Sequence, residues 1–287
     1  MASHYDQLLD ATLQHLQQLK QEGVRFVSVS PTLLHELAHG PAVIPAGTPS
    51  ASSEKLNASQ SISSAPTKLI TPVPSVGLTG GDKALAMAQL REKVLACIKC
   101  PHLVASRKSV VFGVGTVDAS LMFVGEAPGA DEDQEGEPFV GRAGQLLTRI
   151  IVAMGLNRET VYIANILKCR PDTPGQAFGN RKPTPEEMET CSPYLQQQID
   201  IIQPKVLVAL GATAVEGLLG KPVSITKLRG QWQNYRGTPL MPTFHPSFLL
   251  RPENAARKRE VWEDMLQVMQ KLEMPITEKQ RNYFTKG

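Results

Sequence analysis

From residue 83 onward, short apolar runs alternate with amphipathic stretches. Leu121-Met122-Phe123-Val124-Gly125 is apolar throughout and ends in glycine. That pattern predicts a strand buried on both faces and running into a loop. Val161-Tyr162-Ile163-Ala164-Asn165-Ile166, Lys205 to Gly211, and Leu240 to Phe244 predict three more strands. Helical patterns lie between them, over Gly144 to Met154 and Ala212 to Leu219. Another helix opens at Thr184-Pro185-Glu186-Glu187, with Thr as N-cap, Pro in the first position and acids where the helix dipole favours them. Residues 253 to 272 predict a charged, amphipathic terminal helix. Strands alternating with helices imply an α/β fold of three layers, α/β/α, with a central, mostly parallel, four-stranded sheet. In that architecture function sits at the carboxyl ends of the strands. The loops after the first, second and fourth strands carry the unusual residues.

Ahead of this pattern the chain changes character. Residues 3 to 22 place Leu8, Leu9, Leu16 and Leu19 at roughly helical spacing among polar residues, and an apolar stretch runs from Val24 to Leu37. Residues 1–40 are read as a helical appendage, either a simple one or a docking segment for a partner protein. Residues 41–82 are rich in Ser, Pro, Ala, Thr and Gly. They bury too little apolar surface to offset their ordering entropy, and read as a flexible linker. The expected folded domain is 83–275, and 276–287 are a C-terminal tail.

Composition narrows the function classes. The chain has 287 residues, 41% hydrophobic, enough for one sizeable domain plus extra material. Its 30 basic and 27 acidic residues leave a net charge of +3, too small to argue nucleic-acid binding without a local basic patch. No apolar run approaches the roughly 18 residues of a membrane span. The N-terminus lacks a basic stretch followed by an apolar one. A cytoplasmic monomer with no membrane association is the expectation. Thiols there are usually reduced, so the cysteines need an explanation other than disulfides.

The cysteines are Cys97, Cys100, Cys169 and Cys191. The C-x-x-C pair alone fits a redox centre, a zinc site or accident. One tight pair with two distant members suggests a single four-sulfur site, for which zinc and iron–sulfur are both open. Four buried, unligated thiols are the plainer alternative.

The loop after the first strand runs Gly125-Glu126-Ala127-Pro128-Gly129-Ala130-Asp131-Glu132-Asp133 and on through Gly136-Glu137-Pro138-Phe139-Val140-Gly141-Arg142-Ala143-Gly144. Its glycines suit close backbone approach to a ligand. Phe139 stands among Pro and Gly, as a ring stacking on a flat ligand would. A solvated acidic turn with one anchoring Phe fits equally well.

Longer motifs distinguish these readings. Gly125 to Leu147 resembles the first signature of the family 4, thermostable-type uracil-DNA glycosylases. Asn165-Ile166-Leu167-Lys168-Cys169-Arg170-Pro171, then Asn180-Arg181-Lys182-Pro183 through Cys191-Ser192-Pro193-Tyr194-Leu195, resemble its next segments. His245-Pro246-Ser247-Phe248-Leu249-Leu250-Arg251 resembles its closing signature. The similarity covers roughly residues 85 to 272. It implies excision of uracil from DNA and a [4Fe–4S] cluster held by the four cysteines. It also maps Phe139 to the uracil-stacking ring, Asn165 to the amide that reads the uracil edge, and Ala127 to the small residue of the pocket.

On this resemblance His245, after the fourth strand, fits as donor to the oxygen on which charge develops, an oxyanion-hole role. Glu126 and Glu132 are candidates to stabilise the sugar cation or position the attacking water. Lys168, Arg170, Arg181, Ser247 and Arg251 are candidate DNA contacts, and Leu249 or Leu250 a wedge into the gap left by a flipped base, unless these are helix-start core residues. Two departures matter. Ala127 stands where the wider superfamily often carries a water-activating Asp, so the general base is open. Residues 172 to 178 are an extra stretch, able to reshape a DNA-facing rim. A catalytically silent iron–sulfur module that binds nucleic acid, of the kind attached to phage polymerases, is the alternative. It gives no reason to retain Glu126, Phe139, Asn165 and His245 together.

Overall fold

The structure is a computed structural model, and it describes residues 80–173 and 176–284 together with Gln21. The expected helical appendage of residues 1–40 and all but the end of the linker 41–82 lie outside the described residues. In chain order the elements are α1 (Gly80–Leu95), α2 (Pro101–Ser106), β1 (Val114–Gly115), β2 (Leu121–Gly125), α3 (Ala130–Glu135), α4 (Arg142–Ala153), β3 (Tyr162–Asn165), β4 (Asp172–Thr173), β5 (Gln176–Asn180), α5 (Pro185–Ile202), β6 (Val206–Leu210), α6 (Ala212–Leu219), α7 (Ile225–Leu228), β7 (Gln233–Tyr235), β8 (Thr238–Thr243), α8 (Pro246–Leu249), a 3-10 turn (Pro252–Asn254), α9 (Arg257–Lys271) and α10 (Glu278–Arg281).

The main sheet has the order β1-β3-β2-β6-β8-β7. Its four inner strands are parallel. They are the four apolar runs of the sequence. The sheet is larger than expected, with six strands, because a short antiparallel strand closes each edge. β7 reaches β8 through the two-residue turn Arg236-Gly237, both at positive φ (50° and 92°). Such a turn matches the twist of a hairpin. The polar sequence of β7 and the two-residue length of β1 hid both strands from periodicity.

Alternation along the inner strands builds two cores. Met122 and Val124 of β2, Ala164 of β3 and Leu207 and Ala209 of β6 face α1, α5 and α6. Leu121, Phe123, Ile163, Val206, Val208 and Met241 face α4 and α9. The helices on each face bring Val94, Leu195 and Val215 to the first core and Leu147, Ile151, Met265 and Val268 to the second. Three layers result. At 25 cal/mol per Å² of apolar surface, each such buried side chain contributes roughly 1.5–3 kcal/mol.

Thr184 caps α5 as its sequence predicts: its hydroxyl accepts from Glu187 N at 3.2 Å and Glu187 Oε2 accepts from Thr184 N at 2.8 Å. The extra stretch at 172–178 forms the β4–β5 hairpin, pairing Asp172 with Asn180 and Thr173 with Gln176. α10 packs back on the domain: Trp262 Nε1 donates to Gln280 O at 2.6 Å, and Gln280 Nε2 to Ala153 O at 2.9 Å. Among the described residues no helix is long and apolar enough to cross a membrane.

Candidate active site

The parallel register sets the carboxyl ends of the inner strands side by side. Gly125 at the end of β2 lies opposite Asn165 at the end of β3. Thr243 at the end of β8 lies beside Leu210 of β6, which brings Gly211 and His245 together. Glycine is required at both crossings. A Cβ on Gly125 would stand 2.4 Å from Asn165 Oδ1 and 2.5 Å from Phe139 Cζ. Gly211 has φ of +90°, and a Cβ there would meet His245 Cβ at 3.0 Å. The Phe139 and His245 rings lie 5.6 Å apart, tilted by 32°. Gly125, Phe139, Asn165 and His245 therefore form one constellation, although they come from three loops.

Asn165 is buried, and its Oδ1 is the one buried side-chain oxygen or nitrogen among the described residues that finds no hydrogen-bond partner. Leaving such an acceptor unpaired costs about 1–3 kcal/mol. A site that binds a donor at this atom recovers that cost on binding.

His245 is the N-cap of α8, and its Nδ1 accepts from the Ser247 backbone N–H at 3.2 Å, with Ser247 Oγ at 2.7 Å. A ring nitrogen that accepts carries no proton, so the neutral ring has its hydrogen on Nε2. Burial pulls the His245 pKa down to about 4. At neutral pH the ring is an uncharged Nε2–H donor. The strand end beneath it is fixed by a buried network the sequence did not reveal. Thr243 Oγ1 donates to Asp264 Oδ2 at 2.6 Å, Arg229 pairs with the same carboxylate, and Arg229 Nη2 reaches Glu260 O at 2.6 Å.

The two candidate carboxylates part company. Glu132 Oε2 accepts from Gly129 N, and Oε1 from Val140 N and Gly141 N, each at 3.0 Å. Three backbone donors engage both oxygens, so Glu132 braces the loop; the geometry does not leave it free for the sugar or water. Glu126 is half-buried beside Ala127, and desolvation raises its pKa against a hydrogen bond from Thr213.

The candidate DNA contacts also divide. Lys168, expected on the rim, is buried: Nζ donates to Asn165 O at 3.0 Å and Gln198 Oε1 at 2.6 Å. It is an internal strut, since phosphate cannot reach an ammonium enclosed in this way. Leu249 packs with Leu146, Phe244 and Val261, and Leu250 borders the same cluster, so Leu249 is a core residue and not a wedge. Ser247 in α8 and Arg251 just after it are exposed. Arg170 Nε donates to Asn180 Oδ1 at 2.8 Å, holding the β4–β5 hairpin. Arg181 pairs with Glu187 at 2.5 Å. That carboxylate, held by Arg181 and His102, titrates at about 2.

Cys97 and Cys100 flank the turn from α1 to α2, Cys169 follows β3, and Cys191 lies on α5. All four line one cavity of about 20 Å³. Among the described residues no three acidic, His or Cys side chains are grouped to hold a single metal ion. A set of four sulfurs around one cavity suits either a zinc ion or an iron–sulfur cluster. Burial raises the pKa of Cys100 and Cys169, and lifts Cys191 to about 11. Thiolates there need added positive charge. Arg107 donates to Cys169 Sγ at 3.1 Å, and the Lys168 backbone N–H to Cys191 Sγ at 3.3 Å.

Residues 112–266 match the family model of the uracil DNA glycosylase superfamily. This chain belongs to that superfamily. Among curated proteins, it is 49% identical over 182 residues to a type-4 uracil-DNA glycosylase of Thermotoga maritima, covering 62% of this chain and 91% of that protein. It is 41% identical over 214 residues to the type-4 uracil-DNA glycosylase of Sulfurisphaera tokodaii, covering 70% and 91%. A DNA polymerase of Bacillus phage SP01 is 31% identical over 140 residues, which are 48% of this chain and 14% of that polymerase. The superfamily match spans the whole constellation of Gly125, Phe139, Asn165 and His245, and the type-4 similarity is the family resemblance carried by the motifs.

Proposed function

We propose that this protein excises uracil from DNA by hydrolysing its N-glycosidic bond, opening base excision repair. The observation that carries this reading is the buried, unpartnered Asn165 Oδ1 beside the Phe139 ring and a neutral His245 donor. To reach such a site a base must leave the duplex stack and enter the pocket. Phe139 offers its face to the flat ring. The Asn165 amide accepts from uracil N3–H and donates to O4; cytosine, with an amino group at position 4 and no N3–H, inverts both requirements. Buried polar groups left unpaired by cytosine make that rejection strong.

As the bond to the sugar breaks, negative charge gathers on uracil O2. His245 donates Nε2–H to that oxygen without delivering a proton, in a position where burial strengthens the bond. Glu126 is the carboxylate that balances the sugar cation or orients water, since Glu132 is engaged by the loop. Ala127 gives the water no carboxylate of its own, so the chemistry leans on electrostatics. Arg251 and Ser247, exposed beside His245, meet the DNA backbone, which positions the duplex without reading sequence, while Arg170 and Arg181 shape the rim through Asn180 and Glu187.

Cys97, Cys100, Cys169 and Cys191 would hold a [4Fe–4S] cluster. When bound, it supplies a structural cross-link between the α1–α2 turn, the segment after β3 and α5. The protein acts as a monomer, and residues 1–40 are available to a protein partner. The reading is tested by single-turnover excision on oligonucleotides containing uracil, thymine or cytosine at one position. Wild type releases the base from the uracil strand alone, and Asn165→Ala slows that reaction. Equal excision by wild type and Asn165→Ala would contradict the assignment of the base-reading group.

A further inference from the structure

Phe139 holds a backbone conformation that its side chain disfavours. Its φ is +56°, in the left-handed region where a Cβ crowds the backbone. Something must hold it there. Arg158 grips the backbone on both sides of the residue: Nη2 donates to Pro138 O at 2.7 Å and Nη1 to Phe139 O at 3.1 Å. On the side following it, the Glu132 carboxylate takes the N–H groups of Val140 and Gly141, both at 3.0 Å. The Phe139 carbonyl itself fits only because Gly144 lacks a side chain, since a Cβ there would stand 1.8 Å away. Arg158 is anchored in its turn: Asn157 Oδ1 accepts from Glu159 N at 3.0 Å and Thr160 N at 2.9 Å.

We propose that Arg158 is a positioning residue for uracil excision, acting through the Phe139 ring by fixing the two carbonyls that precede and follow it. The proposal rests on the reading of Phe139 as the stacking ring. Its planar fork engages two carbonyls at once, a geometry that lysine cannot reproduce. With the fork removed, Phe139 relaxes toward negative φ and its ring leaves the Gly125 floor. A misplacement of about 1 Å in a reacting complex costs on the order of a hundredfold in rate. A strut that merely tied the turn before β3 to the loop would change stability and leave chemistry in a folded enzyme alone.

The test is a double-mutant cycle in single-turnover excision at saturating DNA, using Arg158→Met, Phe139→Leu and the double variant. Arg158→Met should slow excision by about tenfold to a hundredfold while binding of undamaged DNA holds. In the Phe139→Leu background the same change should cost little, because residues that act as one unit are not additive. Arg158→Lys should recover part of the rate, and carries the cycle if the Met variant does not fold. An equal rate loss in both backgrounds would overturn the proposal, as would a wild-type rate for the folded Arg158 variant. A wild-type rate for Phe139→Leu alone would instead refute the stacking reading on which the proposal stands.

Discussion

Lowering the pH from 8 to 5 should destabilise the native enzyme through His245 in particular. The folded pKa lies near 4, because burial penalises the imidazolium, against about 6.5 in the unfolded chain. The unfolded chain therefore takes up a proton first as pH falls. Native stability from this group is complete above pH 6.5, declines through the window between 6.5 and 4, and is fully lost below it. Integrating that difference gives a loss of about 2 kcal/mol by pH 5 and roughly 3 kcal/mol at the limit. The assay is urea unfolding at pH 8 and pH 5 for wild type and His245→Gln. The wild type should lose about 2 kcal/mol more than the variant over that interval. Nuclear magnetic resonance of the ring should show an uncharged Nε2–H form throughout, since Nδ1 accepts from Ser247. Equal pH dependence in both proteins, or a ring that titrates near its ordinary value, would refute the reasoning.

Other expectations follow from neighbouring residues. Asn165→Asp should gain excision of cytosine, measured on a cytosine-containing oligonucleotide, because a carboxylate accepts from the cytosine amino group. Lys168→Met should leave the salt dependence of DNA binding unchanged, since its ammonium is enclosed by Asn165 O and Gln198. Arg251→Ala should reduce that slope by about one, as loss of a phosphate contact does. Purified wild type should contain about four irons per chain, as a four-cysteine cluster implies. Cys169→Ser should lower iron content and melting temperature more than it lowers the single-turnover rate of the protein that stays folded; stoichiometric zinc without iron, after preparation free of oxygen, would contradict the cluster.

Much of this site was legible because strand ends and motifs are local features. The apolar runs over 121–125, 161–166, 205–211 and 240–244 named the sheet's four inner strands, and a parallel sheet brings their carboxyl ends to one edge. Phe139 stood out by sitting among Pro and Gly, outside any apolar run. The misplaced residues share a different cause. Lys168 sits between Cys169 and Asn165 in a loop that reads as rim, yet its partner Gln198 is thirty residues away on α5. Leu249 is equally apolar as wedge or core, and packing against Val261 of α9 decided it. Glu132 was counted with the acids of an acidic loop, while the amides that occupy it lie eight and nine residues on. Arg158 carries no motif, because its role depends on a backbone torsion nineteen residues earlier, which no pattern of polarity encodes.

The central claim is most directly tested by identifying what the enzyme releases. The 287-residue protein is incubated with an oligonucleotide containing one uracil, and the small-molecule products are separated and weighed. Free uracil should appear in step with abasic sites in the strand, one for each, and a strand with thymine at that position should yield neither. Uracil left attached to an intact strand, by protein that is folded and binds the DNA, would contradict the account.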